Sequence, residues 1–233
     1  MVVTDIDVES LNRAFEERPP QEVLRWAHET FAPRVAISTS FQAAGMVILD
    51  VAQQVAPGFP AFTLDTGFLF EETLDLKRRA EERYGIEIES VRPLQTVEEQ
   101  AERYGEALYA RQPDECCRMR KEEPLRRKLA DLDAWVTGVR RDQAKTREDA
   151  RILERHEIDG RTVIKLNPLV HWTKKQVWDY ILAHEIPYNP LYDQGYASIG
   201  CVPCTRPIQI GEDERAGRWA GFNKIECGIH TFT

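Results

Sequence analysis

Apolar residues along the chain recur at two spacings, one typical of helices and one typical of strands. Near the N-terminus, apolar positions three or four residues apart predict two helices, carried by Val8, Leu11 and Phe15 and then by Val23, Leu24, Ala27 and Phe31. Short apolar runs predict strands at residues 34–38, 61–64, 86–91, 135–139, 152–158 and 161–166. Further helices are predicted at residues 45–55, 71–84, 97–104, 114–130 and 173–184, the last with Thr173 as N-cap.

This alternation predicts an α/β fold with a mostly parallel sheet and helices on both faces. The Asp159-Gly160 pair between the last two strands predicts a hairpin. Beyond Pro187 the chain is rich in Gly, Pro and Tyr, and we expect it to be irregular.

Three polar loops follow predicted strands, where ligands bind in open α/β sheets. They contain Ser38, Thr39 and Ser40; Asp65, Thr66 and Gly67; and Arg140 and Arg141. The first loop precedes a helix and can cradle an anion, Asp65 can accept hydrogen bonds from a ribose or an amino group, and the arginine pair can grip phosphate or sulfate. Each loop also has an ordinary interpretation, as a helix cap, a turn or a solvated face. Together they favour a nucleotide-sized anionic ligand.

Composition narrows the class of partner. The 233-residue chain has a net charge of −8, which argues against a general nucleic-acid binder but allows a local basic site for a small anion. No apolar run approaches the roughly 20 residues of a membrane span. Residues 1–10 are acidic and lack the basic and apolar regions of a secretory signal. We therefore expect a cytoplasmic protein without nucleic-acid or membrane partners.

The five cysteines are the most informative residues: Cys116-Cys117, Cys201-Val-Pro-Cys204 and Cys227. In the cytoplasm clustered cysteines indicate metal binding or catalysis more often than disulfides. A Cys-x-x-Cys motif is typical of metal sites, of redox dithiols and of zinc half-sites. Adjacent side chains diverge by about 100° on a helix, so the Cys116-Cys117 pair suits a bulky multi-iron cluster better than a single ion. Two packed thiols at a helix start are the structural alternative.

Several motifs together resemble the iron–sulfur type of assimilatory adenylyl-sulfate reductases in the PAPS reductase family. They are Cys-Cys-Arg-Met-Arg-Lys at 116–121, Trp-Val-Thr-Gly-Val-Arg-Arg-Asp-Gln at 135–143, Tyr-Asn-Pro-Leu at 188–191, Gly-Tyr-Ala-Ser-Ile-Gly-Cys-Val-Pro-Cys-Thr-Arg at 195–206 and Lys-Ile-Glu-Cys-Gly-Ile-His at 224–230. The resemblance covers about residues 31–230. It implies a nucleotide-binding fold akin to the ATP-pyrophosphatases, although their Ser-Gly-Gly-x-Asp-Ser loop is here Ser-Thr-Ser-Phe-Gln-Ala at 38–43, which counts against ATP cleavage.

The resemblance also implies a cofactor, a substrate and a reaction. One [4Fe-4S] cluster per chain would be held by Cys116, Cys117, Cys201 and Cys204. Because related reductases of 3′-phosphoadenylyl sulfate usually lack these four cysteines, adenylyl sulfate is the expected substrate, with a 3′-phosphoadenylyl-sulfate or dual-substrate enzyme as the alternative. Cys227 would form an S-sulfocysteine intermediate, and a thioredoxin or glutaredoxin-like dithiol would then release sulfite, leaving the cluster to position and polarise substrate through Arg120 and Lys121.

Further site residues and a division of the chain follow from the resemblance. It implies that Arg215 and Arg218 contact substrate, to which Lys121 adds charge, and that His230 binds substrate or orients the thiol. We expect an N-terminal helical segment at 1–30, a nucleotide-binding reductase domain with the cluster at 31–210, and a flexible catalytic tail at 211–233. The sequence leaves open whether the protein forms a homo-oligomer. The competing hypotheses are a zinc-stabilised nucleotide-binding module without catalysis and an ATP-dependent sulfur-transfer enzyme.

Overall fold

A six-stranded sheet forms the centre of the computed structural model, which describes residues 3–222, 224, 226, 228 and 229. The strand order is β3-β2-β1-β4-β6-β5, and all neighbouring strands are parallel except β5 and β6. The strands are β1 (Val35–Ser38), β2 (Ala61–Leu64), β3 (Ile88–Val91), β4 (Ala134–Val136), β5 (Leu153–Ile158) and β6 (Arg161–Leu166). The predicted mostly parallel α/β fold is confirmed.

Nine α-helices are present in the described part of the chain. They are α1 (Val8–Phe15), α2 (Pro20–Phe31), α3 (Ala43–Val55), α4 (Glu71–Tyr84), α5 (Val97–Tyr104), α6 (Leu108–Arg111), α7 (Pro113–Cys117), α8 (Glu123–Leu129) and α9 (Lys174–Ala183). The predicted bounds of α4 and α5 agree with the structure, and Thr173 caps α9 as predicted, by accepting a hydrogen bond from the amide of Gln176. None of the described helices is long and apolar enough to cross a membrane.

Helix α3 is the most deeply buried helix of the core. Ten of its residues, at 43–52, are buried, because apolar side chains surround the helix and the sheet and α2 cover it. Burying a leucine or isoleucine side chain stabilises the fold by about 1.5–3 kcal/mol, so these contacts fix α3 firmly against the sheet. Its N-terminus therefore has a well-defined position beside the end of β1.

The hairpin between β5 and β6 forms as predicted. Asp159 and Gly160 have φ values of 50° and 76°, so both central residues are left-handed, as a tight hairpin turn requires. Glycine adopts this conformation without strain, and aspartate tolerates it better than most residues.

The helix predicted over residues 114–130 is interrupted, and the prediction of one continuous helix is wrong. A π-helical turn, Arg118–Glu122, separates α7 from α8. Pro124 provides the physical reason, because it has no amide to donate to the carbonyl of Arg120 four residues earlier and its ring would clash with that carbonyl. The amide of Glu123 instead bonds the carbonyl of Arg118 five residues earlier. The α6 helix was also missed by the sequence pattern.

The strand order reverses direction between β1 and β4. The chain moves from β1 to β2 and β3 on one side, and then returns to place β4 on the other side of β1. Such a switch point opens a crevice at the carboxyl ends of the strands. This is the position where the polar loops after β1 and β4 meet.

Candidate functional site

A cavity, here called the main cavity, lies over the switch point. Its floor is formed by the ends of β1 and β4 and by the first turn of α3. Its outer wall comes from the C-terminal segment, a name used here for residues 211–222, 224, 226, 228 and 229. Seven predicted substrate residues line it: Ser38, Thr39, Ser40, Thr66, Lys121, Arg215 and Arg218. Gly138 brings β4 against α3, since a Cβ there would lie 3.2 Å from the backbone nitrogen of Gly45.

A second, smaller cavity is lined by all four cysteines that the sequence assigns to a cluster, and is here called the cysteine cavity. Cys116 and Cys117 reach it from α7, and Cys201 and Cys204 from a 3₁₀ turn. Cys116, Cys117 and Cys201 are buried, and Cys204 is half-buried. Over the described ranges, no group of three or more His, Cys, Asp or Glu side chains is arranged to hold a metal ion.

The donor set in the cysteine cavity fits an iron–sulfur cluster. Burial and the neighbouring cysteines raise the pKa of the Cys116 thiol to about 11, and burial together with Cys201 raises the pKa of Cys204 to about 11. Cysteines bind iron as thiolates, and iron–sulfur clusters are held by four of them. A multi-iron cluster also presents several metal atoms to its ligands, which agrees with the four thiols sharing a cavity without enclosing a single ion.

The two cavities are joined through shared residues. Lys121 and Cys201 line both of them. Thr66, which lines the main cavity, places its hydroxyl 3.3 Å from the sulfur of Cys201. A ligand in the main cavity would therefore lie next to the cysteine centre, with the buried ammonium of Lys121 between them.

Arg120 lies on the cysteine side of this boundary. It lines the cysteine cavity and not the main cavity, and its guanidinium donates to the carbonyl of Thr66 and, at 3.0 Å, to Gln100. Burial lowers the pKa of Arg120 below its ordinary value. Arg120 and Lys121 are adjacent residues of the π-helical turn. This irregular turn therefore places Arg120 at the cysteine cavity and Lys121 at the boundary of the two cavities.

The ring of Trp219 contacts basic residues from two parts of the chain. Four cations lie over its ring: Arg218 at 4.6 Å, Lys224 at 5.5 Å, Arg215 at 5.8 Å and Lys121 at 6.0 Å from the centroid. The indole is 2% exposed, and it packs with Cys117 and Cys204. Within the described residues, its Nε1 donor has no hydrogen-bond partner. An unpaired N–H beside two cysteines further supports a sulfur-rich group at the cysteine cavity.

Arg218 is held by the cysteine loop. Its guanidinium lies against the backbone of Gly200, where a Cβ would be only 2.3 Å from Nη2, and its Nη1 donates to Ser198 at 3.3 Å. Among described residues its buried Nε has no partner. The backbone of Thr205 also pairs with Arg218, so the loop carrying the Cys-x-x-Cys motif and the segment carrying the arginines are tied together.

Glu226 fastens the C-terminal segment to the main cavity. Its carboxylate accepts two hydrogen bonds from Arg147, each of 3.1 Å, one of 2.9 Å from Arg215 and one of 3.1 Å from Thr146. Burial alone would raise the pKa of Glu226, but the hydrogen bond and charge of Arg147, with the charge of Arg215, outweigh it and hold this pKa below its ordinary value. Ile229, three residues later, lines the main cavity.

Besides Arg120, four predicted substrate residues do not line the main cavity: Asp65, Gly67, Arg140 and Arg141. Asp65 accepts hydrogen bonds from Arg92 and from the amide of Gly67. The guanidinium of Arg140 is paired with Asp142 and with a backbone carbonyl, and Arg141 donates to the carbonyl of Ala150. Their substrate contacts stay predictions.

Among the further residues of the main cavity that were not singled out from the sequence, two are hydrogen-bonded to each other. Gln143 and Arg147 line it, and Arg147 donates to Gln143 at 2.6 Å. Gln143 belongs to the Trp-Val-Thr-Gly-Val-Arg-Arg-Asp-Gln motif, so the motif contained the signal for it. Arg147 ends a short 3₁₀ turn, Lys145–Arg147, where no spacing pattern marks it. The predicted nucleophile Cys227 and the predicted substrate residue His230 lie outside the described residues.

The described residues form an α/β fold with a switch-point cavity whose basic wall suits an anionic ligand, and a cavity lined by four thiols adjoins it. The same fold occurs in Candida glabrata FMN adenylyltransferase, at a TM-score of 0.58, 16% identity and coverage of 85% of this chain and 72% of that one. At that identity the likeness shows the fold alone.

Residues 34–207 match the phosphoadenosine phosphosulfate reductase domain, and the chain belongs to this family. It is 45% identical over 226 residues to the adenosine 5′-phosphosulfate reductase of Halalkalibacterium halodurans, covering 97% of each chain. It is 42% identical over 233 residues to the phosphoadenosine 5′-phosphosulfate reductase of Gloeobacter violaceus, covering 99% of this chain and 96% of the relative. The crystal structure of phosphoadenylyl-sulfate reductase from Candida auris, a phosphate complex, superposes with a TM-score of 0.74 at 35% identity, covering 85% of this chain and 95% of that one.

Proposed function

We propose that the protein reduces adenylyl sulfate to sulfite and AMP as a step of sulfate assimilation, with electrons from a thioredoxin or glutaredoxin-like dithiol. One observation carries the proposal: the main cavity presents Lys121, Arg215 and Arg218 to a ligand directly beside a cavity lined by four cysteines. These cations suit the phosphate and sulfate groups of the substrate. The reductase relatives support the reaction class.

The first step is a sulfo transfer to Cys227. Its thiolate attacks the sulfur atom of adenylyl sulfate, the bond between sulfur and the bridging oxygen breaks, and AMP leaves with both electrons of that bond. The obstacle is the approach of one anion to another. Lys121, Arg215 and Arg218 would lower this barrier because they offset the negative charge that gathers around the sulfur atom.

The second step consumes the dithiol. One donor thiolate attacks the Cys227 sulfur of the S-sulfocysteine, the S–S bond breaks and sulfite departs. The second donor thiol then resolves the mixed disulfide, leaving an oxidised donor and a free Cys227. The two donor thiols provide both electrons, so atoms and charges balance without any further reductant.

Cys116, Cys117, Cys201 and Cys204 would hold the [4Fe-4S] cluster, which when bound adds a polarising charge beside the substrate. Residues of the protein itself would connect this centre with the substrate. Thr66 contacts Cys201 and Lys121 lines both cavities, so these two residues connect the four thiols with the proposed substrate cavity.

Adenylyl sulfate is proposed over 3′-phosphoadenylyl sulfate because the four cluster cysteines are all present and share a cavity. A 3′-phosphoadenylyl-sulfate or dual-substrate enzyme is the second candidate, and the Gloeobacter violaceus relative, named for that substrate, favours keeping it. We expect the reaction to occur in the cytoplasm, where the thiols stay reduced.

The test is a sulfite-release assay on anaerobically purified protein with each nucleotide and a reduced dithiol protein. We expect sulfite from adenylyl sulfate in large preference to 3′-phosphoadenylyl sulfate. Cys227→Ser should keep its iron and bind AMP normally but release no sulfite. Residual activity of Cys227→Ser above a few per cent of wild type would overturn the assignment of the nucleophile, and ATP-dependent turnover would overturn the reaction.

A further inference from the structure

The residues on either side of Cys227 are both in contact with the body of the protein. Glu226 makes four hydrogen bonds to Arg147, Arg215 and Thr146, and it is only 14% exposed. Gly228 has a φ of 80°, and a Cβ there would overlap the carboxylate of Glu122. Both contacts are thus made by residues adjacent in sequence to the predicted nucleophile.

The contact at Glu226 has the geometry of a strong clamp. The Nε and Nη2 atoms of Arg147 both face the carboxylate, in the side-on fork that gives an arginine–carboxylate pair its directionality. Nη1 of Arg147 is held at 2.6 Å by Gln143, so the guanidinium is itself fixed in place. The arginine side chain is 12% exposed, which limits screening by water and salt.

Glu226 also presents an electrostatic problem that the clamp solves. A carboxylate one residue from a thiol disfavours the thiolate, because like charges repel. Arg147 and Arg215 neutralise this carboxylate on the wall of the main cavity. Its negative charge is thus compensated next to the nucleophile.

We propose that Glu226, through its ion pairs with Arg147 and Arg215, is a positioning residue that docks the nucleophile-bearing segment on the main cavity for sulfo transfer. The inference rests on the proposed function and assigns a role within the same site. Arg147 contributes to sulfo transfer by holding the carboxylate of Glu226 in place. We therefore expect the clamp to affect the rate of the first half-reaction.

The test uses Glu226→Gln, with Glu212→Gln as the matched control. Glu212 is another clamped carboxylate of the C-terminal segment, bonded to Arg206 at 2.8 and 3.0 Å, but neither residue lines the main cavity. The measurement is the rate constant of AMP formation in a single turnover without dithiol, alongside the Kd of AMP, the iron content and the Tm of each variant.

We expect Glu226→Gln to slow AMP formation about tenfold, the effect of losing one charge-assisted contact, with AMP affinity and iron unchanged. Glu226→Asp should recover part of the rate, and Glu212→Gln should behave as wild type. Adding Arg147→Gln to Glu226→Gln should cost nothing more in rate, because the arginine acts through the carboxylate.

Two results would overturn the inference while leaving the proposed function intact. One is a wild-type rate of AMP formation in Glu226→Gln. The other is tighter AMP binding with faster turnover, which would show that Glu226 competes with substrate for the arginines. Failure of the wild-type protein to form AMP from adenylyl sulfate would instead refute the proposed function.

Discussion

The indole of Trp219 should control substrate affinity through the cations that it gathers. Lys121, Arg215 and Arg218 all lie within 6.0 Å of its ring centroid, and all three line the main cavity. A cation over an aromatic face gains about 0.5–1 kcal/mol, and more where water is excluded. Three such contacts amount to about 1.5–3 kcal/mol of preorganisation, or about 10- to 150-fold in Kd.

Two substitutions distinguish the effect of the aromatic ring on substrate affinity from the effect of side-chain volume. Trp219→Leu keeps an apolar side chain but removes the ring, so the three cations repel one another and move apart. We expect the Kd for AMP and for adenylyl sulfate to rise by the whole factor calculated for the three contacts. Trp219→Phe keeps a smaller face, so its Kd should rise by less than about tenfold. Both should be measured by calorimetric titration in a Cys227→Ser background, where substrate is not consumed.

A control must account for lost packing, because Trp219 is buried. Phe59→Leu provides it: Phe59 is fully buried in the main core and does not line either cavity. It should lower the Tm while leaving the Kd unchanged. If Trp219→Leu and Trp219→Phe bind substrate equally well, the proposed role of the ring is wrong.

Two further predictions concern the sheet beneath the site. Burial raises the pKa of Glu154, but hydrogen bonds from His156 and Lys165 outweigh it and bring the pKa to about 2, from an ordinary 4.5. Its stabilisation is therefore complete above about pH 4.5 and is lost as the pH falls toward 2. Glu154→Gln should lower the Tm at pH 6, and the difference from wild type should shrink at pH 3.5; a constant difference would contradict this sign. Gly138→Ala forces a Cβ to within 3.2–3.3 Å of the first turn of α3, and such overpacking costs about 1–3 kcal/mol. Gly138→Ala should raise the Kd of AMP in titrations. An unchanged Kd would show that α3 moves to accommodate the added Cβ without affecting the site.

The sequence predicted those parts of the fold that depend on local pattern. The alternation of apolar runs gave the strands and the order of elements, and the Asp-Gly pair marked the β5–β6 hairpin. The π-helical turn was not predicted, because the apolar spacing typical of a helix continues through it in the sequence. Pro124 was the available signal, since an internal proline removes a hydrogen bond that an α-helix needs.

The site was predictable where residue type carries the chemistry. Four cysteines with characteristic spacing were expected together, and they share one cavity. Arg147 and Trp219 were missed because their importance comes from contacts with distant segments. Arg140 illustrates the reverse: its position after a strand suggested a substrate contact, but a carboxylate two residues later and a carbonyl from another loop occupy its Nη1.

Mass spectrometry of the intact protein tests whether Cys227 takes the sulfo group before the dithiol takes part. The anaerobic enzyme is mixed with adenylyl sulfate in the absence of dithiol. We expect one added SO₃ group per chain at Cys227, one AMP released per chain, and sulfite only after a reduced dithiol protein is added. Sulfite released without dithiol, or AMP formed with no sulfur bound to Cys227, would contradict it.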